Sequence, residues 1–119
     1  MQAGVRSELP RDGYALSLMD WNSPLDVQAR ATVLLEHGLG EHIGRYDGVA
    51  QRLLQAGFAV RGYDHVGHGL SGGRRGDLPQ PGRLLDDLGQ VIDATRRQPG
   101  RASQPLILLG HSKIGRAHV

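Results

Sequence analysis

The sequence contains no cysteine, no long apolar run and no apolar stretch near its amino terminus. Without cysteine, neither a disulfide framework nor a thiolate zinc site can form. No segment approaches the roughly 20 apolar residues that a membrane-spanning helix needs. Residues 1–10 lack the apolar core of a secretory signal. These absences favour a cytoplasmic location and leave peripheral membrane contact open.

Lysine is almost missing, since Lys113 stands alone among fourteen basic residues. The formal net charge of +2 comes from the last seven residues, where Lys113 and Arg116 have no acidic neighbour. Without these two residues, the basic residues number twelve and equal the twelve acidic ones. No basic stripe remains to follow a phosphate backbone, so we expect no nucleic-acid partner.

The bulk composition is that of a folded domain, with 39% hydrophobic and 22% charged residues in a chain of 119. Short apolar runs alternate with segments of helical spacing. Because continuous apolar strands joined by helices predict a parallel sheet covered on both faces, we expect an α/β fold with a mainly parallel sheet and flanking helices. The predicted strands are residues 31–35, 58–63 and 105–109, and the predicted helices are residues 46–56 and 84–97.

Two further patterns lead to more specific predictions. Alternation over residues 14–21 predicts an early antiparallel strand, with a partner expected in residues 27–31. In the second predicted helix, Asp86 and Asp87 are expected on the solvated face. The residues expected to face inward are Leu84, Leu85, Leu88, Val91, Ile92 and Thr95.

The tripeptide Gly110-His111-Ser112 directly follows the third apolar run. A nucleophilic serine needs such a strand end, because a sharp turn lifts its hydroxyl clear of the sheet. The full pattern is Gly-x-Ser-x-Gly, but Ile114 occupies its fifth position and Gly115 comes one place late. The first half of the motif therefore predicts a nucleophile elbow, and the second half is broken.

A second small-residue turn, His37-Gly38-Leu39-Gly40, follows the first apolar run. Acyl transfer needs two N–H donors aimed at the tetrahedral oxyanion, each contributing about 3 kcal/mol. In a hydrolase elbow, the second donor belongs to the residue after the nucleophile. The expected donors in this chain are the N–H groups of Leu39 and Lys113.

Three segments in order resemble the motifs of monoacylglycerol lipases, a group within the α/β-hydrolase superfamily. Residues 37–46, His-Gly-Leu-Gly-Glu-His-Ile-Gly-Arg-Tyr, resemble the signature His-Gly-x-Gly-Glu-His-x-x-Arg-Tyr. Residues 64–71, Asp-His-Val-Gly-His-Gly-Leu-Ser, resemble the loop Asp-x-x-Gly-His-Gly-x-Ser. Residues 110–112 fall where the nucleophile of the group lies. Proteins with these motifs include lysophospholipases, other esterases and serine aminopeptidases of the S33 type.

The resemblance implies a serine hydrolase that cleaves a carboxylic ester, most simply a monoacylglycerol or lysophospholipid, with no cofactor. Ser112 would attack the ester carbonyl and form an acyl-enzyme. Leu39 would supply one oxyanion N–H. Glu41 and Arg45 would shape the polar end of the substrate pocket, and His111 would flank the nucleophile there.

The remaining histidines of the motifs are expected to be structural. His37, His65 and His68 would position loops through hydrogen bonds. A metal site built on Asp64, His65 and His68 is disfavoured, because only three candidate ligands lie close together and the resemblance already accounts for the glycine-rich loop. We expect no metal.

The chain holds one member of a catalytic triad. In this fold an acid and then a histidine follow the serine, yet no acid follows Ser112 and His118 lies only six residues later. We therefore expect residues 1–112 to be the N-terminal part of a longer hydrolase and residues 113–119 to be a non-native tail. The segment alone would lack activity, its third strand would be an exposed apolar edge, and it would be insoluble or only partly ordered.

Two other readings are open. Gly38, Gly40 and Gly44 follow a strand, and Asp64 ends the next one, as in a dinucleotide-binding unit. The spacing departs by one residue from Gly-x-Gly-x-x-Gly, and Glu41 would repel a pyrophosphate. The other alternative is an α/β-hydrolase fold that binds a ligand without turning it over. The acyl-chain preference and the oligomeric state are left undetermined.

Overall fold

The computed structural model describes residues 4–21, 29–38, 40–75, 80–99, 101–102, 104–111 and 117–118. The strands are β1 (Val5–Arg11), β2 (Tyr14–Trp21), β3 (Thr32–Glu36), β4 (Ala59–Tyr63), β5 (Leu106–His111) and β6 (Ala117–His118). A 3₁₀ turn (Ile43–Tyr46) leads into α1 (Asp47–Gln55), and α2 (Pro81–Arg96) lies between β4 and β5. The three predicted buried strands, the early antiparallel strand and both predicted helices are present close to their expected bounds.

The strands form one sheet in the order β1-β2-β4-β3-β5-β6. Strand β3 pairs in parallel with β4 on one side and with β5 on the other. Strand β2 runs antiparallel to both β1 and β4, and β6 runs antiparallel to the end of β5. The expected α/β fold is confirmed, and its parallel part is formed by the three predicted buried strands.

The predicted partner of the first antiparallel strand was wrong. Strand β2 pairs with β1, from Val5↔Asp20 to Arg11↔Tyr14, and residues 29–31 lie outside any strand. The two strands are joined at Asp12-Gly13, where Gly13 has φ +84°, a conformation that suits glycine. Charged side chains and Pro10 obscure the pattern of β1, yet an edge strand tolerates both.

Two apolar clusters lie on opposite faces of the sheet, because neighbouring residues of a strand point to opposite sides. The cluster on the α1 side contains Trp21, Val33, Leu35, Ile43, Ala50 and Val60. The cluster on the α2 side contains Leu16, Leu18, Leu34, Tyr63 and Val91. Both faces of β3 are therefore covered, as its unbroken apolar run predicts.

The inner face of α2 differs from the prediction at two positions. Leu85 is 68% exposed, because it lies about 100° around the helix from Leu84 and off the buried stripe. Asp87 is buried rather than solvated, and its Oδ1 accepts hydrogen bonds from Arg11 Nε (2.8 Å) and Tyr14 Oη (2.6 Å). Hydrogen bonding to the β1–β2 hairpin makes that burial tolerable.

Strand β5 borders the parallel part of the sheet. Within the described part of the chain, β6 pairs only with Gly110 and His111, so residues 106–109 have a strand neighbour on the β3 side alone. Ile107 is 39% exposed there, which agrees with the expected apolar edge. Of the helices described, neither is long and apolar enough to cross a membrane.

Candidate active site

Three loops leave the sheet at the same edge, because parallel strands place their carboxyl ends together. Glu36 at the end of β3 is in register with Tyr63 of β4 and with Gly110 of β5. The segments that begin at His37, at Asp64 and at His111 therefore start side by side. Ligands of open α/β sheets bind at this edge.

A tight turn follows β3 and is closed by its own side chains. The N–H of Gly38 donates to Glu41 Oε1 at 2.8 Å, and the N–H of Glu41 donates back to the Gly38 carbonyl at 3.1 Å. The Tyr46 hydroxyl also donates to Glu41 Oε1, at 3.0 Å. Gly40 has φ +81°, which only glycine adopts readily. Glu41 thus holds the turn from inside.

His68 clamps the same turn from the loop after β4. The Gly40 N–H donates to His68 Nε2 at 3.0 Å, and His68 Nδ1 donates to the Val66 carbonyl at 3.0 Å. Because Nε2 accepts and Nδ1 donates, the ring is held as the neutral Nδ1–H tautomer. The imidazole of His68 therefore links the motif segment of residues 37–46 to that of residues 64–71.

His37 and His65 form a second link between these segments. The His65 N–H donates to His37 Nε2 at 2.9 Å, and His65 Nε2 donates to the His37 carbonyl at 2.8 Å. His37 Nδ1 donates to the Gly38 carbonyl at 2.7 Å. Burial, followed by repulsion from His65, lowers the pKa of His37 to about 4, and burial also lowers the pKa of His65. The expected loop-positioning hydrogen bonds of these histidines are present.

Asp64 begins the loop after β4 and is fully buried. Its Oδ1 accepts the Ile43 N–H at 2.7 Å, and its Oδ2 accepts the Leu70 N–H at 3.0 Å and Arg6 Nη1 at 2.7 Å. Burial alone would raise the pKa of Asp64, but these two N–H groups and the charge of Arg6 outweigh it, so the pKa is lowered. Arg6 belongs to no sequence motif, so this contact was not predicted.

Gly69 allows the loop after β4 to pass over Asp64. Its φ of +51° lies in the left-handed region, and an added Cβ would collide with the Asp64 carboxylate. Glycine is therefore required at position 69 for two reasons, the positive φ of the backbone and the close approach of the Asp64 carboxylate.

The predicted site residues divide into two groups. Glu41 and Arg45 lie together, with Arg45 Nη1 3.9 Å from Glu41 Oε2 and the Arg45 side chain 63% exposed. The backbone of His111 ends β5. Leu39, Ser112 and Lys113 lie outside the described residues. Among the described residues, no group of three or more histidine and acidic side chains is arranged to hold a metal ion.

The same chain segment is matched by a family model. Residues 27–115 match the model described as serine aminopeptidase, S33. The chain belongs to this family of α/β-hydrolases. The match begins before β3 and includes both motif segments and the candidate nucleophile. It leaves out the β1–β2 hairpin.

Curated relatives agree with the family. The chain is 38% identical over 112 residues to an uncharacterized abhydrolase domain-containing protein of Dictyostelium discoideum, covering 94% of this chain and 11% of that protein. It is 40% identical over 90 residues to the monoacylglycerol lipase of Mycolicibacterium smegmatis, covering 76% of this chain and 31% of the enzyme. It is 38% identical over 87 residues to human monoglyceride lipase, covering 72% and 28%. The chain thus spans about a third or less of these relatives.

Solved structures share the fold. A soluble variant of monoglyceride lipase from Saccharomyces cerevisiae, in complex with a substrate analog, superposes with a TM-score of 0.83 at 23% identity. The match covers 97% of this chain and 38% of that one. The thioesterase domain from the curacin biosynthetic pathway gives a TM-score of 0.73 at 29% identity and covers 95% and 38%. Family membership and this similarity place the chain in the N-terminal part of an α/β-hydrolase fold.

Proposed function

We propose that this chain is the N-terminal part of a serine hydrolase that cleaves carboxylic esters, with a monoacylglycerol or lysophospholipid as substrate. The register of β3 with β5 carries the proposal, because it starts the turn at His37 and the segment at His111 side by side. Ser112 follows one of these strand ends and Leu39 follows the other. The relatives named monoacylglycerol and monoglyceride lipases support the substrate class.

In the proposed mechanism, Ser112 attacks the ester carbonyl, the alcohol leaves, and water hydrolyses the acyl-enzyme. The oxyanion accepts hydrogen bonds from the N–H groups of Leu39 and of the residue at position 113. In the turn after β3, the N–H groups of Gly38, Gly40 and Glu41 are all hydrogen-bonded within the protein. We assign the oxyanion donor of this turn to the N–H of Leu39. No cofactor enters this mechanism.

The polar end of the substrate would lie near Arg45. Its guanidinium is largely exposed beside Glu41, so it is available to hydrogen-bond a glycerol hydroxyl or a headgroup phosphate. Glu41 Oε1 is engaged by the turn, and we assign Glu41 mainly to holding Arg45 and the turn in place. His111 would border the same region from the end of β5.

The triad acid and base would come from a part of the protein beyond this chain. We propose that residues 1–112 belong to the hydrolase and that residues 113–119 do not. Ala117–His118 form β6, antiparallel to the end of β5. A nucleophile elbow instead leads from a strand into a helix. Sequencing the source DNA across codon 112 tests this proposal, and an open reading frame that encodes Lys113–Val119 at this point would contradict it.

The activity is tested on the full-length protein with a fluorophosphonate probe and with a monoacylglycerol. We expect covalent labelling of the wild type, loss of labelling in Ser112→Ala, and release of fatty acid that depends on the same serine. Labelling that persists in Ser112→Ala would overturn the assignment of the nucleophile. A protein that binds the lipid without labelling or turnover would favour the non-catalytic alternative.

A dinucleotide site fits this geometry poorly. A pyrophosphate would need the free N–H groups of the glycine turn. In the structure, the Gly38 N–H is occupied by Glu41 and the Gly40 N–H by His68. The segment also enters a 3₁₀ turn before α1 rather than opening the helix directly. Binding to an immobilised nicotinamide nucleotide would favour the dinucleotide alternative.

A further inference from the structure

The carboxylate of Asp64 fixes two loops at once. One oxygen accepts the N–H of Ile43, in the first motif segment, and the other accepts the N–H of Leu70, in the second. Ile43 is fully buried in the core on the α1 side, so this hydrogen bond anchors the far end of the turn that begins at His37. The carboxylate of Asp64 therefore anchors the Ile43 end of that turn.

A fully buried carboxylate needs a compensating positive charge. His37 Nε2 lies 3.9 Å from Asp64 Oδ1, but this nitrogen accepts the His65 N–H. Because the pKa of His37 is lowered to about 4, its ring carries no charge at neutral pH. Of the described residues, Arg6 is the one permanent cation in salt-bridge contact with Asp64, at 2.7 Å. The positive charge that compensates the Asp64 carboxylate thus comes from β1.

Arg6 is itself held by the β1–β2 hairpin. Its Nη1 also donates to Ser17 Oγ at 2.9 Å. Ser17 in turn binds the loop after β4, since its N–H donates to Ser71 Oγ at 2.7 Å and its carbonyl accepts the Asp64 N–H at 3.0 Å. Arg6 therefore joins an existing set of hydrogen bonds between the hairpin and the loop.

We propose that Arg6 is a positioning residue for the hydrolase site, which braces Asp64 so that Asp64 holds the turn of residues 37–43 against the nucleophile strand. The inference rests on the proposed function and adds a residue that lies outside the matched family segment, residues 27–115. It assigns the hairpin a part in activity, beyond covering the sheet edge. Arg6 itself does not touch the substrate.

The test compares Arg6→Met with Arg11→Met in the full-length protein. Arg11 is a matched control, because it lies on the same strand and pairs with another buried aspartate, Asp87, at 2.8 Å. Steady-state hydrolysis of a monoacylglycerol gives kcat and KM, and thermal unfolding gives Tm. We expect Arg6→Met to lower kcat roughly tenfold with KM within about twofold, as a displaced oxyanion donor would. Arg11→Met should lower Tm and leave kcat within about twofold.

Arg6→Lys keeps the charge and should give a kcat between those of the wild type and Arg6→Met. If Arg6→Met does not fold, Arg6→Lys and Arg11→Lys decide the question, with a lower kcat expected only for the first. Equal kcat values for the Arg6 and Arg11 variants in either pair would overturn the proposal. A wild type that a fluorophosphonate does not label would instead defeat the proposed function, so the two failures are distinguishable.

Discussion

Acid should weaken this fold through His37. Its pKa is about 4 in the folded protein, against 6.5 for an ordinary histidine. Burial is the main cause, and the neighbouring His65 adds to it. Because the folded pKa is depressed, the unfolded chain binds the proton first. The contribution of neutral His37 to the free energy of unfolding is therefore fully present above pH 6.5. It is lost as the pH falls from 6.5 towards 4. At ~1.4 kcal/mol for each pH unit, the loss amounts to about 3 kcal/mol.

The assay is urea unfolding of the full-length protein between about pH 7 and pH 4, compared with His37→Gln. The glutamine Oε1 can accept the His65 N–H in place of Nε2 but does not titrate. The wild type should therefore lose about 3 kcal/mol more than the variant across this range. Parallel pH profiles for the two proteins would show that His37 is not held neutral and would refute the reasoning.

Three further substitutions test the packing and the turn. Glu41→Leu removes an acceptor inside the turn and should lower kcat about tenfold, whereas Glu41→Gln keeps the acceptor and should retain most activity. Gly69→Ala should lower the free energy of unfolding by about 2 kcal/mol, because φ is +51° and the Cβ meets a buried carboxylate, whereas Gly89→Ala in α2 should be neutral or stabilising. Arg61→Met should cost about 2–3 kcal/mol in urea unfolding, since Asp20, 2.7 Å away, loses its partner. Wild-type values for Glu41→Leu, Gly69→Ala or Arg61→Met would contradict the contact concerned.

Most of the secondary structure follows from the sequence, because its signals are local. The apolar run at 31–35 and the helical spacing after Tyr46 correspond to β3 and α1. The helix end is also encoded locally, since Gly57 follows α1 with φ +93°. Spacing within a few residues carries this information, so no knowledge of tertiary contacts is needed.

The contacts made by polar side chains could not be derived in this way. Asp87 has the sequence context of a solvated helix face, and only the approach of Arg11 and Tyr14, more than 70 residues away along the chain, explains its burial. Arg6 and Asp64 are likewise 58 residues apart. Local pattern predicts which loops meet at the sheet edge, but not which charges hold them there.

The central position of β3 also has a consequence for synthesis on the ribosome. One edge of β3 can pair with β4 soon after both have emerged, but the other edge waits for β5, which is made last among the three parallel strands. During that interval, the N–H and C=O groups on the free edge of the apolar strand Thr32–Glu36 have no partner within the described fold. They can then pair with another nascent chain. Slower translation between β4 and β5 would lengthen this exposure, so the yield of native protein should depend on elongation rate and on chaperones that cover apolar strands.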